Sequence, residues 1–345
     1  MTDMLGKATR IADEVFFPAA GEVDERGEIP PGHFDLLADE GFYGLAAPPE
    51  HGGPGLEFGE IVAALEAFAG GCLATTFTWI QHHGVVNGLV ASENAELRER
   101  HLADAVRGRL RGGVAFAGAI PHPPRLWAKR ADGGYLIDGE APFVSGWGLV
   151  DVLQISARDA ATVDAEGRGG VIVSGLIDAN AGESLTAEPL RLVAAQGTNT
   201  VRLHFTGYFL PDDRITTRVT HADFVATSTI GSRLNGCVAL GLAGRAARLI
   251  ADAGKPEVAD RLRAEQDQVR ARLDAGLADP AALPAARAAA SELAFRATGA
   301  LVTTVGSGAV LGGHTAERLV REATFTLVAA SRPEVKAGLL GLLAP

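Results

Sequence analysis

The chain has 345 residues, a formal net charge of −11 and no basic run, which argues against a nucleic-acid partner. Hydrophobic residues make up 47% and charged residues 21%, the balance of a globular chain long enough for two or three packed modules. No stretch approaches the run of about 20 apolar residues that spans a bilayer. The opening MTDMLGKATRIADEVFF also lacks the apolar core and small-residue cleavage site of a leader. A cytoplasmic protein with no membrane partner is expected. The two cysteines, Cys72 and Cys237, sit in apolar contexts without a CxxC partner or zinc-spaced histidines. They read as buried thiols, and no metal site is expected.

Residues 1–111 read as a helical domain. Ile11, Val15, Phe16 and Phe17 give an early apolar face, and HFDLLADEGFYGLAAP carries Phe34 and Leu37 at helical spacing up to a turn at Gly41. The run from Glu57 to Ser92 is nearly all apolar apart from Gly70-Gly71, as for one or two helices buried inside a domain. ENAELRERHLADAVRGR follows as an amphipathic helix capped by Ser92 or Asn94.

Residues 112–217 change character. GGVAFAG, YLIDGEAPFVSG, DVLQISAR, GGVIVSGLI and NTVRLHFTGYFL are strand-like and separated by Gly, Asp and Asn turns. No helix of useful length falls between them, so a central antiparallel β-domain is expected. Residues 218–345 return to long alanine-rich helices, as in a C-terminal four-helix bundle, with Gly241 and Gly244 permitting close approach. The fold class is therefore α+β multidomain, ordered helix, sheet, helix.

That order resembles the acyl-CoA dehydrogenase superfamily, and four segments carry the likeness. GFYGLAAPPEHGGPGLEFGE is similar to the family's first helix–loop–helix, with Pro49, Gly52, Gly53 and Gly55 in the turn. GEAPFVSGWGLVDVLQISAR resembles the strand pair behind the flavin. GLAGRAARLI resembles the first bundle helix, and VGSGAVLGGHTAERLVREA the glycine-rich turn and helix near the carboxyl end. The resemblance implies α,β-dehydrogenation of an acyl thioester. There a carboxylate removes the α-proton while the flavin accepts the β-hydride, and acid–base help of this kind gives about 10²–10⁴-fold.

Read position by position, the resemblance places Phe143 against the flavin ring and Ser145 beside its reactive nitrogen, with Gly146 following. Phe116 and Gly118 fall on the preceding strand, where Gly118 and Ala119 replace the family's hydroxyl and carboxylate. The loop after them is shorter than in the family, and His122 and Arg125 are candidates for lost phosphate contacts. Gly306 and Gly308 match the glycine-rich turn. In ADAGKPEVADRLRAEQDQ the family's arginine and phenylalanine-glycine pair are missing; Lys255, Arg261 or Arg263 could supply charge, and Gln266 stands in for the family glutamine. FAD is the implied cofactor, with FMN or reduced flavin from a partner reductase as the alternative.

The catalytic glutamate is replaced. Aligning REATFTLVAASRPEV with the family segment puts Ala330 at its position and Ser331 after it. The other position used by relatives, at the start of the first bundle helix, holds Gly231, Ser232 and Arg233. Glu322 and Glu334 are near in sequence but on other faces or beyond Pro333. The expected function is a flavin-dependent oxidoreductase acting on an acyl thioester or related small molecule. The alternatives are a two-component flavin monooxygenase and a non-catalytic partner subunit of a heteromeric acyl-CoA dehydrogenase. In the monooxygenase reading, His82 and His83 in TWIQHHGVVNG lie on the helix that lines the substrate cavity. Adjacent residues point about 100° apart, so only one can face it. His83 and Ser145 are the catalytic candidates, Trp79 and Trp147 could shape the cavity and shield the ring, and His314 reads as a helix-start residue. Homodimers or homotetramers are implied by the family.

Overall fold

Apolar residues at helical spacing bury the first elements along one face. In the computed structural model, which describes residues 3–330 and 332–344, α1 (Met4–Ile11) is capped by Asp3 and buries Met4, Ala8 and Ile11. Ser331 and the side chain of Ser228 lie outside the described residues. A π-turn at Ala12–Phe16 leads into α2 (Phe17–Arg26), which Gly27 ends in the left-handed conformation at φ 66°. α3 (Pro31–Asp39) stops before Gly41, whose φ of 82° makes the expected turn.

The long apolar run forms three helices rather than one or two: α4 (Phe58–Gly71), α5 (Leu73–Ile80) and α6 (His82–Val90). The first break is set by packing. Gly71 lies so close to α1's continuation that a Cβ there would come 2.9 Å from the Ala12 carbonyl oxygen, and Cys72 next to it is extended (φ −144°, ψ 112°). α7 (Ala95–Val106) is capped by Asn94, whose Oδ1 accepts from the Leu97 amide at 3.0 Å; Ser92 Oγ instead accepts from the Asn94 amide.

Eight strands follow: β1 (Gly112–Ala115), β2 (Leu126–Ala131), β3 (Gly134–Val144), β4 (Val152–Asp159), β5 (Val171–Asp178), β6 (Leu185–Pro189), β7 (Val201–Pro211) and β8 (Ile215–Thr220). They order as β6-β7-β3-β2-β4-β5-β8, with β1 also beside β4. The sheet is mixed, correcting the antiparallel expectation, because β4 runs parallel to both β1 and β2. β2 and β3 form a hairpin, and the chain then loops past β2 to begin β4 on its far side. Strand alternation carries no direction, and a crossover without a helix leaves no trace in it.

The carboxyl-terminal part contains α8 (His221–Asp252), α9 (Pro256–Ala278), α10 (Leu283–Val305), α11 (Thr315–Val328) and α12 (Pro333–Leu343). Alanines dominate the core shared by α8, α9, α10 and α11, including Ala239, Ala243, Ala290, Ala294 and Ala323. By length and composition α8 and α10 could cross a bilayer, which the sequence reading did not expect. In the fold most of the apolar stretch of α8 is buried, and both helices contribute to the bundle core.

α4 and α8 meet backbone to backbone at Gly70 and Gly241. A Cβ on Gly241 would lie 2.4 Å from the Glu66 carbonyl oxygen, and one on Gly70 would lie 2.9 Å from the Gly241 oxygen. Ion pairs surround this contact. Arg245 donates to the Gly70 carbonyl and to Asp13 while its guanidinium lies 4.0 Å from the centre of the Phe17 ring. Arg248 joins it on Asp13, and Arg270 reaches Glu66 at 2.7 Å. Gly241→Ala forces the two helices apart, and overpacking of this kind costs about 1–3 kcal/mol. A urea-unfolding midpoint equal to that of the wild type would show that the crossing yields without cost.

Candidate active site

The carboxyl end of β3 is irregular where it pairs with β7, with the register shifting between Ala141 and Val144. The bulge puts Phe143 at φ 53°, in the left-handed region that an aromatic residue rarely adopts. Its ring is 69% exposed, whereas the next two residues, Val144 and Ser145, turn inward. Backbone strain of this type costs about 1–3 kcal/mol and collects at binding sites.

Ser145 Oγ lies 2.7 Å from Thr200 Oγ1, which lies 2.7 Å from Thr198 Oγ1, and Thr198 donates to the Ala195 carbonyl at 2.8 Å. The Gly146 amide donates to the Thr198 carbonyl at 2.7 Å, tying the loop after β3 to the turn before β7. Asn199 Nδ2 donates to the Trp147 carbonyl in the same tie. Gly146 itself is left-handed at φ 92°, and a Cβ there would meet Val150 and the Thr78 methyl at 3.1 and 3.5 Å. The loop therefore packs directly on α5.

On that helical side several polar atoms lack partners. Thr78 Oγ1, Trp79 Nε1 and both ring nitrogens of His83 are buried with no hydrogen bond among the described residues. Such groups are rare in native proteins. The His83 ring meets Trp79 edge-on at 4.8 Å. His82 has the opposite environment: one ring nitrogen is 3.0 Å from the Ala105 carbonyl, which fixes it as the donor, and the other accepts from the Gly112 amide at 3.0 Å. His82 thus joins α6 to α7 and β1, and its partners settle which of the two histidines is structural. Burial, with His83 adjacent, pushes His82 down to about 3; burial alone pushes His83 down to about 4.

Phe116, 40% exposed at the end of β1, approaches Phe224 of α8 at 6.4 Å. Gly118 has a backbone reason to be glycine, since a Cβ would sit 2.3 Å from the Glu140 carbonyl oxygen. Arg158, fully buried on β4, donates to the Ala119 and Gly169 carbonyls and so pins the loop that follows. In that loop His122 contacts the Gly167 carbonyl and packs on His221, while Arg125 pairs with Glu140 at 3.0 Å.

Other sequence candidates lie in the bundle. The Gln266 amide nitrogen is committed to the Leu240 carbonyl at 3.0 Å, in the α8–α9 contact. Gly306 and Gly308 are in the short 3₁₀ turn between α10 and α11. Arg263 pairs with Asp260, and His314 is the N-cap of α11, its Nδ1 accepting from the Ala316 amide. Ala330 is exposed at φ 49°. Glu322 points inward to a buried pair with Arg318 at 2.9 Å, and burial raises its pKa. Arg233 is wholly buried against Asp274.

Sequence reasoning missed Thr78, Thr198 and Thr200. Nothing local marks them, because Thr200 meets Ser145 only through the fold. An exposed strained aromatic beside a buried hydroxyl suits a flat heteroaromatic ring such as a flavin's. Gln266 offers no comparable fit for an adenosine half.

Over residues 2–109 the chain matches the family described as acyl-CoA dehydrogenase, N-terminal domain. It is 25% identical over 214 residues, 60% of this chain and 51% of the relative, to the mitochondrial 2-methylacyl-CoA dehydrogenase of Solanum tuberosum. It is 30% identical to the benzylmalonyl-CoA dehydrogenase of Aromatoleum aromaticum, over 43% of this chain and 41% of that one. The solved butyryl-CoA dehydrogenase of Megasphaera elsdenii superposes with a TM-score of 0.82 at 18% identity, covering 100% of this chain and 99% of that one. The chain resembles the acyl-CoA dehydrogenases in sequence over its amino-terminal domain and shares the butyryl-CoA dehydrogenase fold throughout. It spans about half the length of the curated relatives it matches. The structural match extends across the whole chain, including the sheet and bundle.

The protein carries a measurable signature in its buried histidines. Free imidazole protonates near 6.5. His82 and His83 stay neutral in the folded protein until the pH is well below that, so the unfolded chain binds the extra protons. Their contribution to stability is complete above about pH 6.5 and is lost as pH falls toward their folded pKa values. His83→Phe should make the decline of unfolding free energy between pH 6 and 4 shallower by about one proton. Urea melts at several pH values measure this, and an unchanged slope would mean that folded His83 protonates normally.

Proposed function

We propose that the chain is a flavin-dependent oxidoreductase acting on an acyl thioester or related small molecule, with the flavin ring against Phe143 and beside Ser145. One observation carries this reading: Phe143 is held in a strained left-handed conformation that exposes its ring at the mouth of a polar, otherwise well-packed loop. A core strand gains nothing from that arrangement, whereas a bound ring repays the strain by covering the aromatic face. The flavin, when bound, supplies two-electron redox chemistry. The chain's own residues position it: Phe143 covers one face, Ser145 meets an edge, and Phe116 narrows the approach from β1. His83 offers a neutral imidazole, able to donate from one nitrogen and accept at the other, but bringing no charge at neutral pH.

The superfamily's proton abstraction has no carboxylate here. Ala330 stands at one aligned position, Gly231 to Arg233 at the other, and buried Glu322 pairs with Arg318 through one carboxylate oxygen while the other has no partner among the described residues. That absence favours the second reading, in which the chain works with reduced flavin as a two-component monooxygenase or lends half a site as a partner subunit. Gln266's commitment to Leu240 supports FMN or a borrowed reduced flavin beside FAD. Exposed Val305, Val310 and Leu311 at one end of the bundle support assembly into a homodimer or homotetramer.

The test is the visible spectrum of the purified protein during titration with FAD, FMN and, without oxygen, reduced flavin. Saturable binding of at least one form is expected, and Phe143→Ala should weaken it about tenfold, the scale of one lost aromatic contact. A wild-type chain that binds none of the three sinks the proposal. Robust dehydrogenation of an acyl-CoA by the wild type would instead show that a base lies elsewhere in the chain.

A further inference from the structure

We infer that the hydroxyl chain behind the loop fixes Ser145 as a hydrogen-bond acceptor toward the site, so that the site favours reduced over oxidised flavin. The argument is a count of protons. The Ala195 carbonyl can only accept, so the single hydroxyl proton of Thr198 lies in its 2.8 Å contact with that oxygen. The 2.7 Å contact between Thr198 and Thr200 also needs a proton, and only Thr200 has one left to give. The same step repeats at 2.7 Å between Thr200 and Ser145, so the proton there belongs to Ser145. Thr198, Thr200 and Ser145 are 0%, 3% and 6% exposed, which leaves little solvent to reverse the chain from outside.

Ser145 Oγ is thereby left with lone pairs and no proton for a ligand. The reactive nitrogen of an oxidised flavin is itself an acceptor, so the two groups face each other without a shared hydrogen. In the reduced ring that nitrogen carries N–H, which donates to Ser145. Thr198 and Thr200 touch no ligand in this scheme; they are positioning residues that act through the orientation of one hydroxyl. The inference rests on the proposed placement of the ring beside Ser145 and adds to it a preference between redox states.

The experiment measures dissociation constants of oxidised and anaerobically reduced FMN and FAD for the wild-type chain and for Thr200→Val, Thr200→Ser and Ser145→Ala. The wild type should bind the reduced form about three- to tenfold more tightly, the range of one neutral hydrogen bond. Thr200→Val removes the acceptor of the Ser145 proton and frees it to point at the ring. The preference should then disappear or reverse, and the midpoint potential of bound flavin should fall by about 15–30 mV, the same factor on a two-electron scale. Thr200→Ser keeps the chain and should retain the wild-type ratio, while Ser145→Ala should lose it. Thr198→Val breaks the chain one link further back and should act like Thr200→Val if that variant folds poorly. Flavin bound with the same redox preference in wild type, Thr200→Val and Ser145→Ala overturns the inference while leaving the flavin site standing. Tighter binding of the oxidised form by the wild type also overturns it. Failure of the wild type to bind either form removes the ring placement and the inference together.

Discussion

The crossing of α4 and α8 at Gly70 and Gly241 is the constraint on which the rest of the molecule depends. At that point no side chain separates the two backbones, and Arg245 uses the Gly70 carbonyl as a fixed acceptor while its charge is met by Asp13. α4 continues through Cys72 into α5, so the crossing also sets where Thr78 meets the loop after β3. α8 begins directly after β8, so the same contact fixes the sheet relative to the helices. A buried guanidinium is costly unless its donors are satisfied, and here a carbonyl, a carboxylate and the Phe17 ring share the task. The interface is thus specified by shape at the glycines and by charge around them.

The order helix, sheet, helix was legible because period and composition change abruptly near residues 112 and 221, where β1 and α8 begin. Local signals also placed the turn at Gly41 and narrowed the cap of α7 to two residues, of which the structure uses Asn94. Strand direction was not legible, since β4 alternates in the same way whether its neighbours run with it or against it. The break at Cys72 was legible only as an interruption at Gly70-Gly71, and the packing of Gly71 against Ala12 gives it its tertiary reason.

The candidate site divides along the same line. Phe143 and Ser145 could be named from their segment, but the left-handed backbone that exposes one and buries the other follows from a bulge in the pairing with β7. The Ser145–Thr200 contact joins residues 55 apart, and no periodicity links them. Gln266 shows the converse. It has the residue type and approximate place of a ligand, yet the close approach of α8 and α9 at Gly244 turns its amide onto the Leu240 carbonyl. A polar residue in a bundle is claimed first by the backbone it lies on.

The two sides of the loop after β3 differ in how they treat polar groups. On the β7 side every hydroxyl from Ser145 to Thr198 is satisfied, with the last proton ending on a carbonyl. On the α5–α6 side Thr78, Trp79 and His83 hold polar atoms with no partner among the described residues. Each unmet buried group costs about 1–3 kcal/mol, and a domain's net stability is only about 5–15 kcal/mol. Several such groups concentrated in one patch are a large local cost, and it falls on helices otherwise well supplied with apolar contacts. The satisfied side behaves as a scaffold that orients a single hydroxyl. The unsatisfied side keeps a donor from Trp79 and either role from Thr78 on α5, and a neutral imidazole from His83 on α6. A substrate with polar atoms can recover that cost on binding, whereas a plain hydrocarbon chain in the same place would leave it in full.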